Sequence, residues 1–201
     1  DPPYGVNYVG KTDDELTLVN DRLSESELAE LWKTAFCNIA AYVKGDLYVA
    51  APAGPPLRLM DNIMEETPWE RHQWLVWVKD RFVLGRSNYH YRHEQIWYGW
   101  HRGGISSWQV GRDKDSVFEV ERPSRSAEHP TMKPVDLVAQ MLVNSSPTGG
   151  SVIDPFLGSG TTMVAAEQLG RTCYGMEIDP KYVAVTLERM AGMGLTPRLV
   201  S

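Results

Sequence analysis

Apolar positions in this chain switch repeatedly between helical and strand spacing. Ser24 and Glu27 stand at capping-box distance, and Leu28, Leu31, Trp32, Ala35 and Ile39 recur at helical intervals, which predicts a helix from near Ser24 to near Gly45. The short apolar run Leu47-Tyr48-Val49-Ala50-Ala51 reads as a strand, and Pro52-Ala53-Gly54-Pro55-Pro56 breaks it. A second helix is expected over residues 57–65. Trp74-Leu75-Val76-Trp77-Val78 and Glu94-Gln95-Ile96-Trp97-Tyr98 are aromatic and β-branched, so both read as strands, the second paired with the first. Periodicity disappears between residues 99 and 128 among Gly, Ser, Arg and Asp, as in a long functional loop or irregular subdomain. It returns with a helix over 134–143, a strand over 151–154, a glycine turn, a helix to 169, a strand over 172–178 and a last helix from Pro180. This alternation predicts an α/β fold with a mostly parallel sheet and helices on both faces.

Length and composition narrow the class. A chain of 201 residues with 42% hydrophobic content supports one substantial core, so residues 1–201 are expected to form a single domain. No run of 18 apolar residues and no leader-like opening segment occurs, which argues against a membrane partner. Cys37 and Cys173 lie far apart in apolar surroundings, without metal or redox spacing, and the five histidines also lack ligand spacing. No metal is therefore expected, and a reducing cytoplasmic compartment is.

The net charge of -6 disfavours nucleic acid as a partner, but it is unevenly distributed. Residues 1–70 carry 5 Lys/Arg against 13 Asp/Glu, whereas residues 71–133 carry 11 against 7 and also hold all five histidines and five of the seven tryptophans. Charge and stacking surface thus coincide in the middle of the chain. A buried aromatic sheet with solvated edge charges gives the same composition.

Two segments carry candidate chemistry. In Val152-Ile153-Asp154-Pro155-Phe156-Leu157-Gly158-Ser159-Gly160-Thr161-Thr162 an apolar strand ends on an acid and a glycine turn opens a helix, which places a ligand at the strand's carboxyl end. The position of a third dinucleotide-fingerprint glycine is Met163, and no Gly-Lys-Ser/Thr follows, so a phosphate ligand is disfavoured. Glu177 lies 23 residues after Asp154 at the end of the next strand, near the spacing of a ribose-binding acid, and together they point to an adenosyl ligand. The second segment is Asp1-Pro2-Pro3-Tyr4. Its prolines donate no backbone hydrogen bond, so it offers a carboxylate and carbonyls as acceptors beside an aromatic face. Such a site suits an amino group conjugated to a nucleobase.

These segments, with His129-Pro130-Thr131-Met132-Lys133-Pro134 and Gly175-Met176-Glu177-Ile178-Asp179, resemble the amino-methyltransferase family of DNA modification enzymes over nearly the whole chain. The acceptor motif precedes the cofactor motif, as in the family's permuted beta group. Trp77-Val78-Lys79-Asp80 and His93-Glu94-Gln95-Ile96 resemble its middle strands more weakly. The resemblance implies a Rossmann-like S-adenosylmethionine-dependent fold, double-stranded DNA as partner, and methylation of a flipped base. Asp1, Pro2, Pro3 and Tyr4 then hold and stack on the target. Thr131, Lys133, Asp154, Phe156, Gly158, Ser159, Gly160, Thr161 and Glu177 bind the cofactor. Asp at the first position leans toward N6 of adenine, because Ser more often occupies it in the cytosine-N4 enzymes.

Residues 99–128 are the candidate target-recognition region, with Arg102, Arg112, Arg122 and Arg125 available for phosphates or guanine edges. A homodimer stays open, as do a cytosine-N4 enzyme, methylation of a planar amine in RNA or protein, and an inactive DNA- or cofactor-binding fragment. In the resembled fold the acceptor motif ends a central strand, so the sequence is expected to be an amino-terminally truncated piece of a longer protein.

Overall fold

A computed structural model describes residues 1–5, 23–82, 84, 88–123 and 132–200. The predicted first helix is α1 (Glu25–Tyr42). Ser24 caps it through the Glu27 amide, and the Glu27 carboxylate accepts the Ser24 amide in return. Then follow β1 (Leu47–Ala51) and α2 (Pro55–Glu65), the latter opened by prolines at its first turn, where no amide partner is needed. β2 (Trp69–Val78) and β3 (His93–His101) are both longer than their apolar cores suggest. A short β4 (Val117–Glu119) lies in the stretch without periodicity. The remaining elements are α3 (Val135–Ser145), β5 (Ser151–Asp154), α4 (Thr161–Gln168), β6 (Thr172–Gly175) and α5 (Pro180–Gly192).

Among the described residues the strands form two sheets. One is mixed, in the order β1-β3-β2-β4, with β3 antiparallel to both neighbours and β4 parallel to β2. The other is the parallel pair β5-β6. The expected pairing of the two aromatic strands is present, with Trp74 opposite Trp97 and Trp77 opposite Glu94.

β3 is buried on both faces from Ile96 to Gly99, and its successive side chains enter separate cores. Trp97 joins Trp32, Phe36, Met60 and Trp69 beneath α1 and α2, while Ile96 and Tyr98 join Leu75, Trp77, Leu137 and Met141 beneath α3. Helices therefore cover both faces of the larger sheet. Trp69 and Trp74 differ in sequence parity yet share a face, because a bulge between Arg71 and Gln73 shifts the register by one residue. Ile153 of β5 packs on the first core and ties the parallel pair to the larger sheet.

The segment after β3 is anchored to the scaffold. Asp46 accepts from the Ser107 amide and from the hydroxyls of Tyr98, Ser106 and Ser145. The Gln109 amide donates to Asn144, and Trp108 packs against the second core. Residues 106–109 thus rest on the end of α3.

Candidate active site

The carboxyl ends of β1 and β2 and the amino end of antiparallel β3 lie on one side of the larger sheet. Asp1-Pro2-Pro3-Tyr4 is held there by two anchors. The Trp32 indole donates to the Pro3 carbonyl at 3.0 Å, and Pro2 is buried. Trp32 reads from sequence as one core position of α1, and only its polar edge reveals the second task.

Asp1 is engaged through both oxygens. Oδ1 accepts from the Tyr4 hydroxyl at 2.8 Å, and Oδ2 accepts from Lys133 Nζ at 2.7 Å. Burial, aided by the Glu94 charge, pushes the Tyr4 phenol well above its ordinary range, so it stays a protonated donor. The Lys133 ammonium also lies over the Tyr4 ring, 5.9 Å from its centroid.

The chain of charges continues inward. Lys133 Nζ is 3.3 Å from Glu94 Oε2, an ion pair whose alignment leaves that buried oxygen without a hydrogen bond. Glu94 Oε1 accepts from Lys79 Nζ at 2.6 Å, and Lys79 is only 7% exposed. Burial pushes the Glu94 carboxyl upward, but Lys133 and Lys79 outweigh it and hold the group below its ordinary value. Asp1, Lys133, Glu94 and Lys79 therefore form a neutral row of alternating sign. In the sequence Lys79 and Glu94 are simply parts of the two middle strands. The strand register, which sets Val78 opposite His93, makes them neighbours.

The glycine turn lies beside this row. The backbone nitrogen of Asp1 is within Coulombic range of both Asp154 and Lys133, which brings the two sequence segments into one site. Asp154 accepts from the Phe156 amide at 3.0 Å and the Thr162 hydroxyl at 2.6 Å. Glu177 accepts from the Gly158 amide at 2.8 Å and the Asp179 amide at 2.9 Å, so it braces the turn. Gly158 and Gly160 have φ of 55° and 82°. A Cβ on Gly160 would come within 2.8 Å of Thr186 on α5, so the turn needs glycine there for backbone angle and close approach alike. Ser159, Gly160 and Thr161 are buried, with the Ser159 carbonyl accepting from Arg189. Phe156 and Gly158 are partly exposed, and Met176 and Ile178 expose apolar surface on either side of Glu177.

The four candidate arginines are not gathered together. Arg122 is at the site end, its amide and guanidinium on Asp80. Arg102 follows the opposite end of β3, about 25 Å along the strand from Glu94, and donates to the Glu65 and Trp69 carbonyls. Arg112 is exposed between Gly111 and Asp113. Arg125 and Thr131 lie outside the described residues, as do His129 and Pro130.

The fold and site define a Rossmann-like methyltransferase architecture. M1.HpyAVI in complex with SAM superposes at a TM-score of 0.69 with 20% identity, covering 83% of each chain. PvuII DNA methyltransferase, described as cytosine-N4-specific, superposes at 0.71 with 15% identity, covering 92% of this chain and 75% of that one. At such identities the likeness concerns the fold. The N6/N4 DNA methylase family model matches residues 1–188, and the chain belongs to that family. Type II methyltransferase M.HinfI of Haemophilus influenzae is 25% identical over 94% of this chain and 61% of its own length. For M.BglII of Bacillus subtilis the values are 27%, 61% and 37%, and for M.Cfr9I of Citrobacter freundii they are 27%, 80% and 49%. The chain therefore spans between about a third and three fifths of these relatives.

Proposed function

We propose that this chain is the catalytic domain of a DNA methyltransferase that methylates the exocyclic amino group of a flipped base in double-stranded DNA, N6 of adenine. The observation that carries this reading is the nearness of the Asp1 acceptor, paired with Lys133, to Asp154 at the head of the glycine turn. Acceptors for an amine and a ligand-binding turn belong side by side only if a group passes between their occupants.

The turn fits S-adenosylmethionine. Met176 and Ile178, the sequence neighbours of Glu177, expose apolar side chains, and an apolar surface near a carboxylate suits an adenosyl group with a flat apolar face and hydroxyl donors. Phe156, Gly158, Asp154 and Glu177 would line its site, with Thr131 toward its carboxylate end, while Lys133, which the motif also offers for that end, is engaged by Asp1 instead. Buried Ser159, Gly160 and Thr161 shape the turn from beneath. The cofactor supplies an electrophilic sulfonium methyl.

The chain's own residues have a positioning task. An exocyclic amine is a poor nucleophile while its lone pair is conjugated into the ring. Asp1 and the Pro2 carbonyl would take its two N–H groups and favour a pyramidal nitrogen, and Tyr4 would offer the base a face. Methylation would leave the nitrogen cationic, and its surplus proton would then pass to Asp1 or to solvent, so catalysis rests on orientation and charge rather than on a strong base. Arg122, which pairs with Asp80 at this end of the sheet, would be the arginine nearest the site for a phosphate contact, with Arg112 and Arg125 on either side of it in sequence.

The full natural reading frame encoding this chain, incubated with duplex DNA and methyl-labelled cofactor, should yield labelled N6-methyldeoxyadenosine after digestion to nucleosides. Label confined to N4-methyldeoxycytidine would reassign the base. Label absent from DNA would overturn the reading.

A further inference from the structure

We propose that Lys133 is a removable counter-ion covering the Asp1 acceptor, and that Glu94 is the positioning residue that receives it when a target amine arrives. The inference rests on the proposed function and deepens it.

Three observations converge. First, Lys133 occupies Asp1 Oδ2 at 2.7 Å and lies over the Tyr4 ring, so one ammonium covers both the acceptor and the stacking face that a base must reach. Second, with Lys133 13% exposed and the Asp1 side chain 33% exposed, a neutral amine donor displaces the ammonium from the carboxylate only at a cost unless the ammonium finds an equal partner. Third, that partner is present. Glu94 Oε2 is buried, carries no hydrogen bond, and stands 3.3 Å from Lys133 Nζ. A rotation about the end of the lysine side chain exchanges one carboxylate for another, satisfies Oε2 and frees Asp1. No group changes its protonation state. Lys79 holds Glu94 from the far side and fixes where Oε2 points.

Glu94 acts only through Lys133, and this gives the test its sign. In Glu94→Gln the receiving charge is gone, Lys133 stays on Asp1, and kcat at saturating cofactor should fall about 10-fold or more, as expected for loss of a charge-assisted partner. The Michaelis constant for the cofactor should change little. Adding Lys133→Gln to Glu94→Gln removes the covering charge, and kcat should rise again to the level of Lys133→Gln alone. A residue that merely supports the fold would make the double variant equal to or worse than Glu94→Gln.

If Glu94→Gln fails to fold because Lys79 is left buried without its partner, the same comparison is made in a Lys79→Met background. Wild-type kcat in Glu94→Gln, or a double variant no faster than Glu94→Gln, overturns the inference while leaving the proposed function standing. A wild-type enzyme that methylates no DNA overturns both.

Discussion

Lys133 joins Asp1 across 132 positions of sequence, with Nζ at 2.7 Å from Oδ2. The contact brings the end of the segment before α3 onto the acceptor motif, and it makes Asp1 a carboxylate whose function depends on what occupies it. Replacement of Asp1 by Ala should lower kcat by about 10²–10³-fold, the usual effect of losing one aimed electrostatic group. Cofactor affinity, measured by calorimetry, should stay within about threefold, because the proposed partner of Asp1 is the target base rather than the cofactor.

Glu177 tests the glycine turn. Both of its oxygens accept backbone amides, at Gly158 and at Asp179, so Glu177→Ala removes the brace as well as any contact with a ligand. Each lost charge-assisted bond is worth roughly 1.5–3 kcal/mol, so cofactor affinity should fall by about 10-fold or more. Equal affinity in the variant, by calorimetry, would contradict this role.

Gly99 tests the packing of the mixed sheet. A Cβ at this position would lie 2.0 Å from the Glu70 carbonyl oxygen and 2.8 Å from the Trp97 ring, so even Ala needs the paired strands to separate. Gly99→Ala should cost at least about 1–3 kcal/mol, the range for an overpacked core, seen as a lower urea midpoint. An unchanged midpoint would show that β2 can yield.

The Glu94 row should leave a mark on the acid limb of stability. Its carboxyl titrates below its ordinary value of 4.5 in the folded protein, so its contribution is complete above that value. That contribution is lost as the pH falls through the lowered folded value, because the unfolded state then binds the proton more readily. Urea midpoints between about pH 6 and 3 should therefore decline, with a shallower slope in Glu94→Gln. Equal slopes would mean that the row contributes nothing.

Cys173 should be inert as a thiol. Burial, with a smaller contribution from Asp154, pushes it up to about 12. Iodoacetamide at pH 8 followed by peptide mapping should leave it unmodified in the native protein. Rapid native alkylation would contradict the burial.

The helices and the α/β class were legible because their signals are local. The Ser24–Glu27 box, the proline entry to α2 and the glycine turn before α4 each lie within a few residues. The first half of β2 was not. Glu70, Arg71, His72 and Gln73 are all exposed, and the bulge breaks the period that sequence reading follows. β6 ends at Gly175, earlier than its apolar continuation suggests, because its partner β5 ends at Asp154 and Pro155 has no amide to extend the ladder past the Met176 bond to the Asp154 carbonyl.

The site was legible as motifs and not as contacts. Asp1, Asp154 and Glu177 could be named from spacing, yet the partners that hold them come from distant elements. The Trp32 indole meets the acceptor motif directly, and Glu94 and Lys79 join it through Lys133, only after β2 and β3 have paired and α1 has packed. The arginines show the converse. Arg102 has the right residue type in the right segment, but strand direction carries it to the opposite end of the sheet.

The central claim is that Asp1 presents a base amine for methylation. It is tested most directly by expressing the full natural frame, as wild type and as Asp1→Ala, in a bacterial host whose own DNA methylases are deleted. Mass spectrometry of nucleosides from host DNA, sampled before wild-type methylation saturates, should find N6-methyldeoxyadenosine with the wild type and about 10²–10³-fold less with Asp1→Ala. Methylated base at equal levels from both, or from neither, would contradict the account.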